Sequence, residues 1–231
     1  MRPTFAARIL TAAVLAGSTA SPAAAPAARV LPTTTAPASA SPVAPAAGAI
    51  PNTAAPVAVL LDVKTTVLAV LDLNTTSCGP RPACIDSLPA VAAIIKEARD
   101  ATVSVAFGNT TVAGATNLAQ VAPQGDEPVV IAVADKFVNS NFDTLYEAAE
   151  RRDPPHRRNC GEWRGLYTSF GACARGYTVV VAEDGISSAV PFATTLARFQ
   201  LLNQRGFPNA DNKPLAEKAV TISRGDLIAF K

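Results

Sequence analysis

The sequence predicts a three-layer α/β domain, with a mostly parallel sheet of five or six strands and helices on both faces. Three observations carry this. Apolar runs of strand length alternate with helical stretches along residues 57–231, and the connections between them are short. Two of the runs, VLAVLDL at 67–73 and YTVVVAE at 177–183, are apolar almost throughout, as strands buried on both faces of a parallel sheet are. Carboxylates close these runs: Asp72 after the first, Glu183 and Asp184 after the second. Ligands of such sheets sit beyond the carboxyl ends of the strands.

Each element follows in order. Val57 to Leu61 is a short strand, and Val67 to Leu73 a longer one. A turn-rich stretch runs from Asn74 to Pro82. Ile85 to Ala101 then has helical spacing, because Leu88, Val91, Ile94, Ile95 and Ala98 share one face. Thr102 to Phe107 is the next strand, Gly108 to Glu127 a polar loop, and Pro128 to Val133 a further strand. Helices are expected over 141–150 and 166–175, the second ended by Gly176 as its C-cap. Tyr177 to Glu183 is a strand, Val190 to Asn203 a helix, Ala219 to Ser223 the last strand, and Arg224 onward a short tail.

The front of the chain is different. Residues 1–56 hold 20 Ala and 9 Pro and only three charges, Arg2, Arg8 and Arg29. Arg2 and Arg8 precede the apolar stretch Ile9 to Ala16, and small residues follow to Ala25. This is the pattern of a secretory signal over 1–25, with an apolar core too short to span a bilayer. Residues 26–56, nearly all Ala, Pro and Thr, read as a semi-stiff linker that cannot bury enough surface to fold. The domain is then 57–231, and the expected location is outside the cell.

The rhythm breaks once. A strand is due between the helices at 141–150 and 166–175. Residues 151–164 instead read RRDPPHRRNCGEWR, with five of the 14 Arg, the single His156 and the single Trp163. Pro154 and Pro155 oppose an interior strand, so none is expected here.

Composition removes several chemistries. A formal net charge of +2 is too small for a generic nucleic-acid binder. One His excludes zinc sites built on two or more histidines, and the four Cys lack CxxC spacing. No GxGxxG or Walker A pattern points to a nucleotide cofactor. No apolar run is long enough for a membrane span. Cys78 and Cys84 flank a small loop and are either a disulfide, as an exported chain permits, or two free thiols. Cys173 reads as a packed apolar residue. Asp72 is the foremost candidate for a site, since a carboxylate ending a buried strand is costly unless paired or working. Lys136, after the 128–133 strand, is either its partner or a solvated surface residue.

Taken together, these residues resemble the isochorismatase-like cysteine hydrolase superfamily, which includes nicotinamidases and related amidases. The strand ending in Asp72, with Leu73 and Asn74 after it, is similar to that family's strand–Asp–x–Gln opening, Asn74 standing where Gln is common. Lys136-Phe137 followed by Asn141-Phe-Asp-Thr-Leu145 resembles its Lys segment, and Leu166 to Tyr177 its post-nucleophile helix. The resemblance spans about residues 57–231 and implies a Rossmann-like, isochorismatase-like fold. It also implies a Cys nucleophile, an Asp general base and a Lys that holds the charges, with no metal or cofactor. Asp72 and Lys136 take the last two roles. The Cys position, four residues before Thr168, holds Arg164, which stays protonated and is no nucleophile. Cys160, four residues earlier, is the weak alternative. Residues 151–164 are read either as genuine divergence or as a local reading-frame error, since clear family pattern resumes at Leu166. The function expected is that of an exported hydrolase-fold protein acting on or binding a small amide, ester or enol ether. The alternative is a non-catalytic ligand-binding domain. The resemblance further implies self-association into homo-oligomers.

Overall fold

A computed structural model describes residues 53–145, 158–160 and 163–231. The signal-like stretch, most of the linker, the end of the 141–150 helix and His156 lie outside the described residues.

Six strands form one parallel sheet. They are β2 (Val67–Leu71), β3 (Ser104–Asn109), β4 (Val129–Ile131), β5 (Arg158–Cys160), β6 (Val179–Ala182) and β7 (Val220–Ser223), in the spatial order β4-β3-β2-β5-β6-β7. Every pairing is parallel. The order reverses beside β2, where the chain first builds outward to β4 and then returns through β5. In open α/β sheets such a reversal, here between the carboxyl ends of β2 and β5, is where ligands bind.

Among the described residues three long helices accompany the sheet: α1 (Pro82–Asp100), α2 (Trp163–Ala174) and α3 (Pro191–Asn203). Pro82 and Pro191 open the first and third, where a missing N–H costs nothing. Gly176, at φ 87°, ends α2 as expected: its N–H bonds the Cys173 carbonyl while the Tyr177 N–H bonds that of Ala172. Two apolar cores result, one per face. Leu68, Val70, Val105, Phe107 and Val180 pack with Leu88, Ile94 and Ile95 of α1. Val67, Ala69, Leu71, Val179 and Val181 pack with Leu166 and Cys173 of α2 and Leu201 and Leu202 of α3. The three-layer expectation is met.

Two expectations need correction. The tail after Arg224 is not a mere tail. It makes a short 3-10 turn and then strand β8 (Ile228–Phe230), which pairs in parallel with β1 (Val59–Leu61) as a separate two-stranded sheet. The alternation was too short to signal a strand. The second correction is β5. Residues 158–160 form a strand within the segment expected to have none, registering Asn159 with Leu68 of β2 and Cys160 with Ala69. Its other side pairs with β6. The physical reason is position. A gap between β2 and β6 would leave two rows of buried N–H and C=O groups unpaired, and that cost outweighs the poor strand propensity of Arg-Asn-Cys.

The cysteine pair is resolved as well: Cys78 and Cys84 form a disulfide, Cα to Cα 5.4 Å, with both residues fully buried. Cys173 is buried and packs in the core on the α2 face.

Candidate functional site

Asp72 follows β2 directly and adopts φ 57°, the left-handed region that an L-residue enters at a cost, though Asp less so than most. Its N–H bonds the Gly108 carbonyl at 2.7 Å, which extends the β2–β3 ladder by one rung. The twist turns the carboxylate out of the sheet's alternation and towards the loop after β4. There Lys136 waits, its Nζ 2.9 Å from Asp72 Oδ2. The two side chains are 1% and 0% exposed. The solvated-surface reading of Lys136 is therefore wrong. The ammonium also donates to the Val133 carbonyl at 3.1 Å.

The loop that carries Lys136 is fixed from several sides. Thr168 of α2, fully buried, accepts the Lys136 N–H and donates to the Ala134 carbonyl, both at 3.2 Å. Asp135 accepts the Phe137 N–H at 3.0 Å. Its carboxylate lies so close to α2 that a Cβ at Gly171 would stand 2.6 Å from it. Phe137 packs edge-on against Phe142, with Arg175 stacked over its ring at 4.5 Å. On the other flank, a Cβ at Gly108 would meet Leu71 at 2.8 Å and the Lys136 stem at 3.0 Å. Only glycine lets the lysine lie this close to β3.

Asn74, two residues beyond Asp72, is also fully buried. Its carboxamide oxygen accepts the N–H groups of Thr76 and Ser77 and its nitrogen donates to Asn109 Oδ1 at 3.1 Å. Asn109 in turn donates to Asn117. This amide chain ties the turn after Asp72 to the loop after β3. Asn109 and Asn117 were not picked out from the sequence, since a lone Asn in a polar loop carries no signal. The disulfide closes the same turn, because the Cys78 N–H bonds the Asn74 carbonyl and Cys84 lies in the first turn of α1.

The other site candidates separate. Glu183 pairs with Arg198 at 2.7 Å, and Asp184 accepts the Gly225 N–H at 3.0 and 3.2 Å. Both serve the fold at β6 and β7 and do not join Asp72. Residue 164 lies in the first turn of α2, one turn before Thr168, and α2 follows β5 closely. Its backbone is thus at the same end of the sheet as Asp72. The side chains of Arg164 and Cys160 lie outside the described residues. Among the described residues no group of three or more His, Cys, Asp or Glu could hold a metal ion, and no helix is long and apolar enough to cross a membrane.

No family model matches the chain, and neither does any curated protein. Solved structures do. A cysteine hydrolase from Pseudomonas syringae pv. phaseolicola is similar at 17% identity and a TM-score of 0.58, over 77% of this chain and 94% of that one. An isochorismatase from Pseudomonas putida is similar at 13% identity and 0.56, over 78% and 100%. N-carbamoylsarcosine amidase from Thermoplasma acidophilum gives 15% and 0.55, over 70% and 97%. Likenesses this distant in sequence define a fold: the chain has the isochorismatase-like hydrolase fold.

Proposed function

We propose that this protein is an exported member of the isochorismatase-like hydrolases that acts on or binds a small amide, ester or enol ether at the Asp72–Lys136 pair. The observation that carries the reading is the fully buried Asp72–Lys136 pair at the strand reversal. An ion pair removed from water can cost more in desolvation than it returns, so it is weak evidence of a stabilising role, and such buried charged groups cluster at active sites. Here Asp72 is the general base. Lys136 balances its charge and positions it, and an attacking water gives up its proton to the carboxylate as it adds to the substrate carbonyl. The structural relatives, a cysteine hydrolase and an amidase among them, favour a carbonyl substrate.

The second reading, a binding domain without turnover, is favoured by one residue. Arg164 stands where the resemblance puts the nucleophile, and a guanidinium cannot attack a carbonyl. A water activated by Asp72 is the remaining route to hydrolysis. Export is supported by the leader pattern and by the disulfide, a bond that persists in oxidising compartments.

The test is a panel of small amides, esters and enol ethers incubated with the full chain, with Asp72→Asn and Arg164→Cys beside it. Turnover lost in Asp72→Asn establishes the enzyme. Binding without turnover in the native chain, together with turnover gained in Arg164→Cys, establishes the binding domain with a lapsed nucleophile. Neither binding nor turnover in any of the three rejects both readings.

A further inference from the structure

The buried hydroxyls of Thr66, Thr110 and Ser169 have no hydrogen-bond partner among the described residues. A buried hydroxyl left unmet costs free energy, and a native structure keeps one for a reason. Thr66 precedes β2 at the amino end of that strand, and Ser169 lies within α2. Thr110 differs from both: it stands at the carboxyl end of a strand, one residue beyond β3, and is 9% exposed.

The sheet decides which side Thr110 faces, because successive residues of a strand face opposite sides. Phe107 belongs to the core under α1. Gly108 faces the other side, where a Cβ would meet the Lys136 stem. The ladder runs on past Gly108, since the Ala132 N–H bonds the Asn109 carbonyl at 2.9 Å. Thr110 therefore returns to the Lys136 side, one pleat nearer the carboxyl end. Gly108 registers with Val130 of β4 and Asn109 with Ile131. One step further sets Ala132 beside Thr110, and Val130 and Ala132 both belong to the core on the α2 face. Asp72 is level with Asn109, for Leu71 registers with Gly108. The unmet hydroxyl thus stands at the same strand ends as the carboxylate and the ammonium, on the side that carries Lys136.

We infer that Thr110 is a ligand-binding residue, its hydroxyl donating to the oxygen that an amide, an ester and an enol ether have in common. This rests on the reading of the Asp72–Lys136 pair proposed above. The division of labour follows from donor chemistry. An ionised carboxylate only accepts. The Lys136 ammonium is engaged by Asp72 and by the Val133 carbonyl. The Asn109 carboxamide is engaged by Asn74 and Asn117. A neutral hydroxyl beside them donates to an oxygen without placing another charge next to the base. The fold bears the cost of the unmet hydroxyl, and a bound ligand removes it.

Thr110→Val, which removes the hydroxyl and little else, tests this by two measurements on the full chain. The urea midpoint should rise by about 0.3–1 M, because an unmet polar group has left the interior. Binding of acetamide, benzamide, methyl benzoate and ethyl vinyl ether, followed by backbone amide NMR shifts, should weaken about three- to tenfold. Where one of these is turned over, the loss should fall on KM and not on kcat. Thr110→Ser keeps the hydroxyl and should recover most of the affinity. Thr111→Val, at the exposed next residue, should alter neither measurement. A hydroxyl that served the fold would take stability with it. A lowered midpoint in Thr110→Val therefore overturns the inference, and so does a raised midpoint with unchanged binding. Asp72→Asn, measured alongside, keeps the two proposals apart. Binding or turnover lost there but intact in Thr110→Val strikes the role of Thr110 alone. A native chain that binds none of the four compounds strikes the reading of the ion pair, and this inference with it.

Discussion

Two ion pairs stand at opposite ends of the sheet, and they are built for different purposes. Arg99, in the last turn of α1, meets Glu127, just before β4, with two bonds of 2.8 and 2.7 Å. It also donates to the Ala122 carbonyl, while the Gln124 N–H reaches Glu127. Both side chains keep some contact with water, at 22% and 16% exposure. Asp72 and Lys136 make a short contact in the buried interior. The first pair is a geometrically good clasp that holds the 122–127 loop onto α1. The second is poorly suited to stabilising anything, since desolvation offsets most of its attraction. That contrast is the physical reason to look for function at Asp72 and not at Arg99.

The contrast can be tested directly, beginning with its largest effect. Lys136→Met should cost about 3–5 kcal/mol by urea denaturation, because it strands a carboxylate in the core. Adding Asp72→Asn to it should restore much of that stability. If the double variant is as unstable as the single, the pair is holding the fold together and the distinction drawn above collapses. Next comes Cys78→Ala with Cys84→Ala, with an expected loss of about 2 kcal/mol for so small a loop. Gly108→Ala should cost about 1–3 kcal/mol by forcing the Lys136 stem away from β3, with a shift in the Lys136 side-chain NMR signals as its marker.

The smallest effect belongs to the Arg99 clasp. The hydrogen bond from Arg99 holds the Glu127 carboxyl below its ordinary value of 4.5. A lowered carboxyl contributes stability that is complete above about pH 4.5 and fades as pH falls through the folded-state value. Glu127→Gln should therefore lower stability by about 1 kcal/mol or less at neutral pH and flatten its decline on acidification. A decline as steep in the variant as in the native chain would assign the acid sensitivity elsewhere.

How far the sequence could be read depended on how each residue is held. Asp72 was legible because a charge closing an apolar strand is anomalous by itself. Lys136 was only half legible: its burial follows from Asp72, Thr168 and Gly108, which come from elsewhere in the chain. β5 was illegible because its conformation is imposed by β2 and β6, while its own residues argue for a loop. Strand β8 was illegible for the opposite reason, being three residues with one partner. The asparagines at 74, 109 and 117 form a chain only after folding.

The outer edge of β7 also fixes where the described chain enters the domain. Ala55 and Val57 are bonded to Asn212 and Ile222, at the edge farthest from β4. With strands about 4.8 Å apart, six of them set that attachment point some 24 Å from the β4 edge. A label at Ala55 and a second at Val129 would therefore sit on opposite rims of one domain, where their separation reports whether the sheet keeps all six strands.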